Sequence, residues 1–238
     1  MNTRLSVNIN KVALLRNARN NNIPDLLQFA SDCEAFGADG ITIHPRPDER
    51  HIRRRDVYAL KKRITTELNI EGYPSEEFLQ LIEATKPDQV TLVPDAPEVV
   101  TSDNGWDTIR HQDFLIGVIS RLKKSTGRVS VFLNADPHLV PAAAATGADR
   151  IELYTGPYAE NFGKNPEKAI EPYLLTAQKA GEYLLGVNGG HDLNLKNLNY
   201  FAENIIHLLE VSIGHALIAD ALYFGIENAI QMYKKQLK

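Results

Sequence analysis

Gly37-Ala38-Asp39-Gly40-Ile41-Thr42-Ile43 returns later in the chain as Gly147-Ala148-Asp149-Arg150-Ile151-Glu152-Leu153. Each copy reads as a helix end, a tight turn and the first residues of a buried strand. Glycine accepts the left-handed backbone that closes a helix, and the β-branched run after it fits a strand covered on both faces. Moving outward, short apolar or β-branched runs recur at 5–9, 40–44, 69–73, 89–94, 128–134, 150–154, 183–188 and 207–214. Segments with helical spacing lie between them: Leu26, Leu27, Ala30 and Cys33; Phe78, Leu79, Ile82 and Thr85; Ile170, Tyr173, Leu174, Ala177 and Ala180. Pro24-Asp25, Pro74-Ser75-Glu76-Glu77 and Asp136-Pro137 look like helix openings, and Gly37, Gly147 and Gly181 like helix ends.

Eight β/α alternations in 238 residues predict an α/β fold, a (β/α)8 TIM barrel with extra helices, as one domain spanning 1–238. The rival is an open doubly wound sheet. That fold usually carries a glycine-rich turn after its first strand, whereas this chain has Asn8-Ile9-Asn10-Lys11 there. Segment 95–127 is longer than one helix needs. It reads as a loop over 95–107, a candidate lid, and then a helix from about residue 108 to 124.

Composition narrows the function. Lys+Arg total 26 against Asp+Glu 30, a formal charge of −4 that disfavours a non-specific nucleic-acid coat. The single cysteine, Cys33, cannot form an internal disulfide and reads as packing. No apolar run approaches the ~18 residues of a membrane span, and Met1-Asn2-Thr3-Arg4 leads straight into a strand without a leader-like apolar stretch. The expected setting is soluble, reducing and cytoplasmic, with no nucleic-acid or membrane partner.

Barrel enzymes build their sites at the C-terminal ends of the strands, and polar residues gather there. Asn8 and Asn10 end strand 1; His44, Arg46, Arg50 and His51 follow strand 2; Glu71 lies on strand 3; Thr101 follows strand 4. Asn134 and Asp136 end strand 5, Glu152 and Thr155 belong to strand 6, Asn188-Gly189-Gly190-His191 ends strand 7 and Gly214-His215 ends strand 8. A lone His after a strand is ordinarily a hydrogen-bonded surface residue, but His44, His191 and His215 would converge on one mouth. A carboxylate such as Glu71 in an apolar strand must be paired or have a raised pKa, and both conditions suit proton transfer. Arg46 offers a fork matched to phosphate, whereas Arg53-Arg54-Arg55 reads as a solvated helix start. The turns at Gly189-Gly190 and Gly214 bring backbone N–H groups to an anion. No Cys-x-x-Cys or His-Glu-x-x-His occurs, so a structural or protease-type zinc site is unsupported; His44, His191 and Glu71 are a less favoured metal-holding set, and no metal is expected. Other phosphosugar enzymes remain alternatives, as does a silent barrel. A Schiff-base aldolase would want an inner-strand lysine, and the strands carry none.

These residues resemble those of the pyridoxine 5′-phosphate synthase family. The likeness is carried by Val7-Asn8-Ile9-Asn10-Lys11 with Leu15-Arg16-Asn17-Ala18-Arg19, and by Gly37 to Arg46 with Asp48-Glu49-Arg50-His51-Ile52. Val187-Asn188-Gly189-Gly190-His191-Asp192-Leu193 and Ile213-Gly214-His215-Ala216 complete it. The resemblance implies a transferase of vitamin B6 biosynthesis that joins 3-amino-2-oxopropyl phosphate to 1-deoxy-D-xylulose 5-phosphate. Pyridoxine 5′-phosphate, phosphate and water are the products, and no metal or organic cofactor is implied. It implies His44 and Glu71 as general bases, His191 as general acid and Glu152 as a proton relay. Asn8, Arg19, Asp192, Gly214 and His215 would surround the aminoketone phosphate. Asn10, Lys11, Arg46, His51 and Thr101 would surround the deoxyxylulose phosphate. A homo-oligomer, often an octamer, is also implied. The chain departs from the family at Asn10-Lys11, where Asp-His is frequent, and at Asp192, where glycine is usual.

Overall fold

The computed structural model describes residues 3–19, 21–94 and 104–238. Eight strands run in chain order: β1 (Arg4–Asn8), β2 (Gly40–Ile43), β3 (Glu67–Gly72), β4 (Gln89–Leu92), β5 (Arg128–Leu133), β6 (Arg150–Tyr154), β7 (Gly186–Gly190) and β8 (Leu208–Ile213). Each pairs in parallel with its neighbours, and β8 closes onto β1 through Arg4↔Glu210 to Val7↔Ile213. The helices are α1 (Asn10–Asn17), α2 (Leu26–Ala35), α3 (Arg54–Arg63), α4 (Glu76–Thr85), α5 (Gln112–Leu122), α6 (Val140–Ala145), α7 (Gly156–Phe162), α8 (Pro166–Glu182), α9 (Leu198–Asn204), α10 (His215–Phe224) and α11 (Ile226–Gln236). The closed barrel is the expected fold, and a ring of eight parallel strands excludes the open sheet.

Local chemistry sets the element ends. Asp25 caps α2 by accepting from the N–H groups of Leu27 and Gln28. Ser75 caps α4 through Phe78 N–H, and Asn165 caps α8 through Lys168 N–H. Gly37 and Gly147 take φ of +98° and +83°, the left-handed conformation that the repeated helix–turn–strand unit requires. Several boundaries differ in detail from expectation, among them α5, which begins at Gln112 and not near 108. Gly181 lies inside α8, which runs on to Glu182. The apolar Tyr183-Leu184-Leu185 run belongs to the turn after α8, with Leu184 at φ +58°, so β7 begins only at Gly186. Asp136-Pro137 opens a short 3-10 turn that leads into α6.

The strands alternate with a sharp division of chemistry. Leu5, Val7, Ile41, Ile43, Leu68, Ile70, Val90, Leu92, Val129, Val131, Ile151, Leu153, Val211 and Ile213 are buried in the hydrophobic core shared with the helices. Most of the intervening residues are polar and meet across the barrel interior. Ser6 and Thr42 hydroxyls lie 2.7 Å apart, Asn69 donates to Thr42 Oγ1, and Thr91 bonds both Asn69 Oδ1 and Glu152 Oε2. One layer nearer the N-terminal end, fully buried Gln89 donates to Glu210 Oε1 across the barrel at 3.2 Å. The Gln89 carbonyl accepts from Arg128 (2.8 Å), Arg150 (3.3 Å) and Asn188 (3.5 Å). Glu67 receives Arg4 at 2.5 Å and also pairs with Arg128. The barrel is therefore filled by a hydrogen-bonded network where branched apolar layers are usual. The groups bonded in it satisfy one another, the condition under which buried polar groups are tolerated, whereas the fully buried Ser130 hydroxyl of β5 has no hydrogen-bond partner among the described residues.

Gln89→Leu would strand two guanidinium groups without their shared carbonyl. The expected outcome is a loss of about 2–4 kcal/mol of stability, read as a lower urea midpoint with an unchanged m-value.

Candidate active site

The C-terminal ends of β1, β2 and β3 place three predicted residues in contact. His44 Nδ1 stands 3.9 Å from Glu71 Oε2, and Asn8 Nδ2 reaches the same carboxylate oxygen at 3.5 Å. Two backbone bonds fix them: Asn8 Oδ1 accepts from Asn10 N–H (3.1 Å), and Asn10 Oδ1 accepts from His44 N–H (2.9 Å). Asn10 thus uses its carbonyl, which Asn and Asp share, to hold β1 against the end of β2.

Next to this group lies the cationic loop after β2. Arg46 is buried, and the His51 ring meets His44 edge-on with centroids 6.2 Å apart. Ile52 N–H donates to His51 Nδ1 at 2.9 Å, so the ring proton of neutral His51 sits on Nε2 as a donor. The loop is held by residues to which the sequence reading gave no role of their own. Arg16 of α1 forms a bidentate pair with Asp56 of α3 (2.9 and 2.8 Å) and donates to the His51 carbonyl (3.2 Å). Asn17 Nδ2 lies against the carbonyls of Glu49, Arg50 and His51. Asp56 also accepts from Arg53 N–H at the start of α3. Arg16 was visible only as a charge on a helix face, since its partner lies far off in sequence.

On the opposite rim, β6 and β7 supply Glu152 and His191. Glu152 is buried, and a Cβ at Gly190 would stand 2.5 Å from its Oε1, so β7 needs glycine where it passes the carboxyl. His191 follows at φ +78°, with its ring against Phe132 (5.7 Å) and Tyr154 (5.5 Å). Gly214 seats the end of β8 on Asn8, where an added Cβ would come within 3.1 Å of the Asn8 Cβ. His215 begins α10 and is exposed, as are Asp192, Lys11 and Arg19. Thr101 and most of the candidate lid lie outside the described residues. At the end of that segment Trp106 is core, its indole N–H donating to Leu92 O at 3.1 Å. Cys33 is fully buried and its thiol is pushed up to about 12, first by burial and then by Asp32 and Glu34, which suits packing and not nucleophilic work. Among the described residues, no group of three or more His, Cys, Asp or Glu side chains is arranged to hold a metal ion.

Burial and charge push the protonation states apart. Desolvation, then the charges of Arg46, His51, His191 and Arg50, hold His44 well below its usual value, so it is neutral near pH 7 and able to accept a proton. His51 is lowered to about 4 by burial and then by Arg46 and Arg50, and it remains a neutral donor. Glu152 moves the other way, raised by burial and then by the charge of Glu210, against the opposing Thr91 hydrogen bond. A base and a held proton on facing rims of one cavity are the equipment for stepwise proton transfer.

The family model described as "Pyridoxal phosphate biosynthesis protein PdxJ" matches residues 5–238. Pyridoxine 5′-phosphate synthase of Cytophaga hutchinsonii is 62% identical over 236 residues, covering 99% of both chains. The protein of the same name from Bacteroides thetaiotaomicron is 58% identical, over 99% of this chain and 100% of its own. Among solved structures, orotidine 5′-monophosphate decarboxylase from Methanocaldococcus jannaschii covers 100% of both chains at TM-score 0.65 and 13% identity. Phosphoribosyl anthranilate isomerase from Thermotoga maritima covers 99% of this chain and 98% of its own at TM-score 0.61, also with 13% identity. These two likenesses carry the barrel fold alone.

A raised Glu152 means that the folded chain keeps a proton which the unfolded chain releases above the ordinary carboxylate value of 4.5. Stability contributed at this position therefore falls as pH rises above that value. Glu152→Gln should flatten the decline between about pH 5 and pH 8, leaving the part due to Glu210, which burial also raises. Urea unfolding of both proteins at the two pH values measures the difference.

Proposed function

Since the chain belongs to the family of pyridoxal phosphate biosynthesis protein PdxJ, we infer that it closes the pyridine ring of vitamin B6, with the pyridoxine 5′-phosphate synthase activity that its relatives' name states. The observation that carries the assignment of roles is the contact of Asn8, His44 and Glu71 at one barrel mouth, faced by Glu152 and His191.

The amine of 3-amino-2-oxopropyl phosphate must be neutral to attack the ketone of 1-deoxy-D-xylulose 5-phosphate. Neutral His44 accepts the proton released as the C–N bond forms. Loss of water from the carbinolamine needs a proton delivered to the departing hydroxyl, which His191 on the opposite rim supplies. Glu71, oriented by Asn8, removes a carbon-bound proton as phosphate is eliminated, and buried Glu152 returns protons to the chamber between steps. Aldol-like closure with loss of a second water then gives the aromatic ring. Arg46 with His51 Nε2–H forms the cationic cradle for the deoxyxylulose phosphate. The backbone N–H groups beyond Gly190 and Gly214 serve the aminoketone phosphate, and at Asp192 the backbone makes that contact because its carboxylate would repel the anion. Asn10 suits this site because its structural task uses only a carbonyl, and Lys11 adds a cation beside the sugar phosphate. Thr101 and Arg19 are assigned to the same ligands on the family resemblance. A Schiff-base route finds no support, because none of β1 to β8 contains lysine.

Assembly into a homo-oligomer is supported by the end of α10, where Leu222, Tyr223 and Phe224 are 76%, 87% and 49% exposed. Such contiguous apolar exposure is uncommon on a monomer. Sedimentation velocity should show a species larger than one chain, and Tyr223→Glu should shift it toward smaller ones. Among the described residues no helix is long and apolar enough to cross a membrane.

The activity is tested by mixing the protein with both phosphorylated substrates and following phosphate and pyridoxine 5′-phosphate together. Matched release supports the reading, and folded protein giving neither product overturns it. Glu71→Gln and His191→Gln should each lower kcat by about 10²–10⁴-fold while phosphate affinity, measured by calorimetry, stays within about twofold. An equal loss of binding would place these residues in ligand recognition instead.

A further inference from the structure

We propose that Phe132 and Tyr154 form an aromatic clamp that positions His191 and favours its protonated state. This rests on the assignment of His191 as the general acid.

Three rings meet at the end of the barrel in mutual contact. Phe132 and Tyr154 lie 5.6 Å apart at 51°, Phe132 and His191 5.7 Å apart at 53°, and Tyr154 and His191 5.5 Å apart at 81°. The two aromatic side chains come from adjacent strands, β5 and β6, and Phe132 is fully buried. Tyr154 is seated in turn by Gly156, where an added Cβ would stand 2.4 Å from the tyrosine oxygen. The backbone beneath His191 is held with equal care. His191 and Asp192 both take positive φ, +78° and +57°, a pair of left-handed conformations that side-chain-bearing residues adopt only under constraint. Thr155 supplies that constraint. Its N–H donates to the Gly190 carbonyl at 3.0 Å, and its hydroxyl lies against the carbonyls of Gly190 and His191.

The arrangement does more than fill space. Both ring centroids lie within ~6 Å of the imidazole centroid, the range over which an aromatic face attracts a cation, and a ring that turns its face to His191 favours imidazolium over imidazole. The other groups around this ring divide. His44 across the chamber shares a repulsion with His191 and opposes a positive charge there, and the Arg46 cation near His44 acts in the same sense. Glu152 beside Gly190, Glu71 on β3 and the neighbouring Asp192 favour that charge when ionised. Glu152 holds a proton near neutral pH, which leaves the two rings as contacts of His191 whose pull on a cation does not depend on their own charge. A general acid must carry its proton before the step and point along one direction during it, and the clamp serves both needs.

The test uses Tyr154→Leu, Phe132→Leu and Tyr154→Phe in the full-length enzyme. The Leu variants keep apolar bulk and remove a ring. They should lower kcat about tenfold with KM for both phosphates within about twofold, and the His191 ring protons, assigned in NMR spectra by their loss in His191→Gln, should titrate at lower pH. Tyr154→Phe, which keeps the ring, should retain both properties. If Phe132→Leu does not fold, Tyr154→Leu decides, because Tyr154 is only half-buried. Unchanged kcat in the Leu variants, an unmoved His191 titration, or a Tyr154→Phe enzyme as impaired as Tyr154→Leu would overturn the clamp. These results are separable from failure of the underlying assignment, which would appear as an active His191→Gln enzyme.

Discussion

A closed barrel whose interior is polar must pair the charged and amide groups it buries, and Gln89 is where that constraint is met. Its amide joins β4 to β5, β6, β7 and β8 through Arg128, Arg150, Asn188 and Glu210. Above it the chain of Ser6, Thr42, Asn69, Thr91 and Glu152 leads by hydrogen bonds to the catalytic end. Hydrogen bonds are directional, so this filling fixes strand register more sharply than apolar layers would. The apolar work is left to the outer faces of the strands, packed against the helices.

The same interior sets the chemistry of the mouth. Glu152 belongs to the barrel network and lies below the mouth where the chemistry is proposed, and it holds its proton because burial and Glu210 oppose its charge. His44, one rim away, is kept neutral by burial and by the cationic loop after β2. One fold thereby drives a carboxyl and an imidazole in opposite directions, with no need for unusual residues. The loop that carries Arg46 and His51 is itself fixed by the buried Arg16–Asp56 pair and by Asn17. A phosphate cradle built on a loop is only as well placed as that support.

The placement of eight strands was legible because each is a short apolar run between helix signals. Errors fell where a local signal was ambiguous. Tyr183-Leu184-Leu185 has the composition of a strand, yet Leu184 is 94% exposed in a turn. Gly189-Gly190 has the composition of a turn, yet it is strand, because the glycines give Glu152 and Phe201 room. The polar residues at strand ends were legible as a group, since packing gives no reason to put so many there. Phe132, Tyr154, Asp56 and Arg16 were not legible as site residues. In sequence they are an aromatic within an apolar strand, an aromatic at a strand end and two helix charges.

By itself the sequence determined the alternation of elements, the barrel they close and the inventory of acids, bases and cations at its mouth. Each of these follows from periodicity, capping and the rule that strand ends carry the chemistry. Only the tertiary structure decided which groups meet, that Glu71 lies beside His44 and Asn8, that His191 packs against two touching rings, and that Glu152 keeps a proton. Those facts depend on distance and burial between residues far apart in the chain, and such quantities exist only once the barrel has closed.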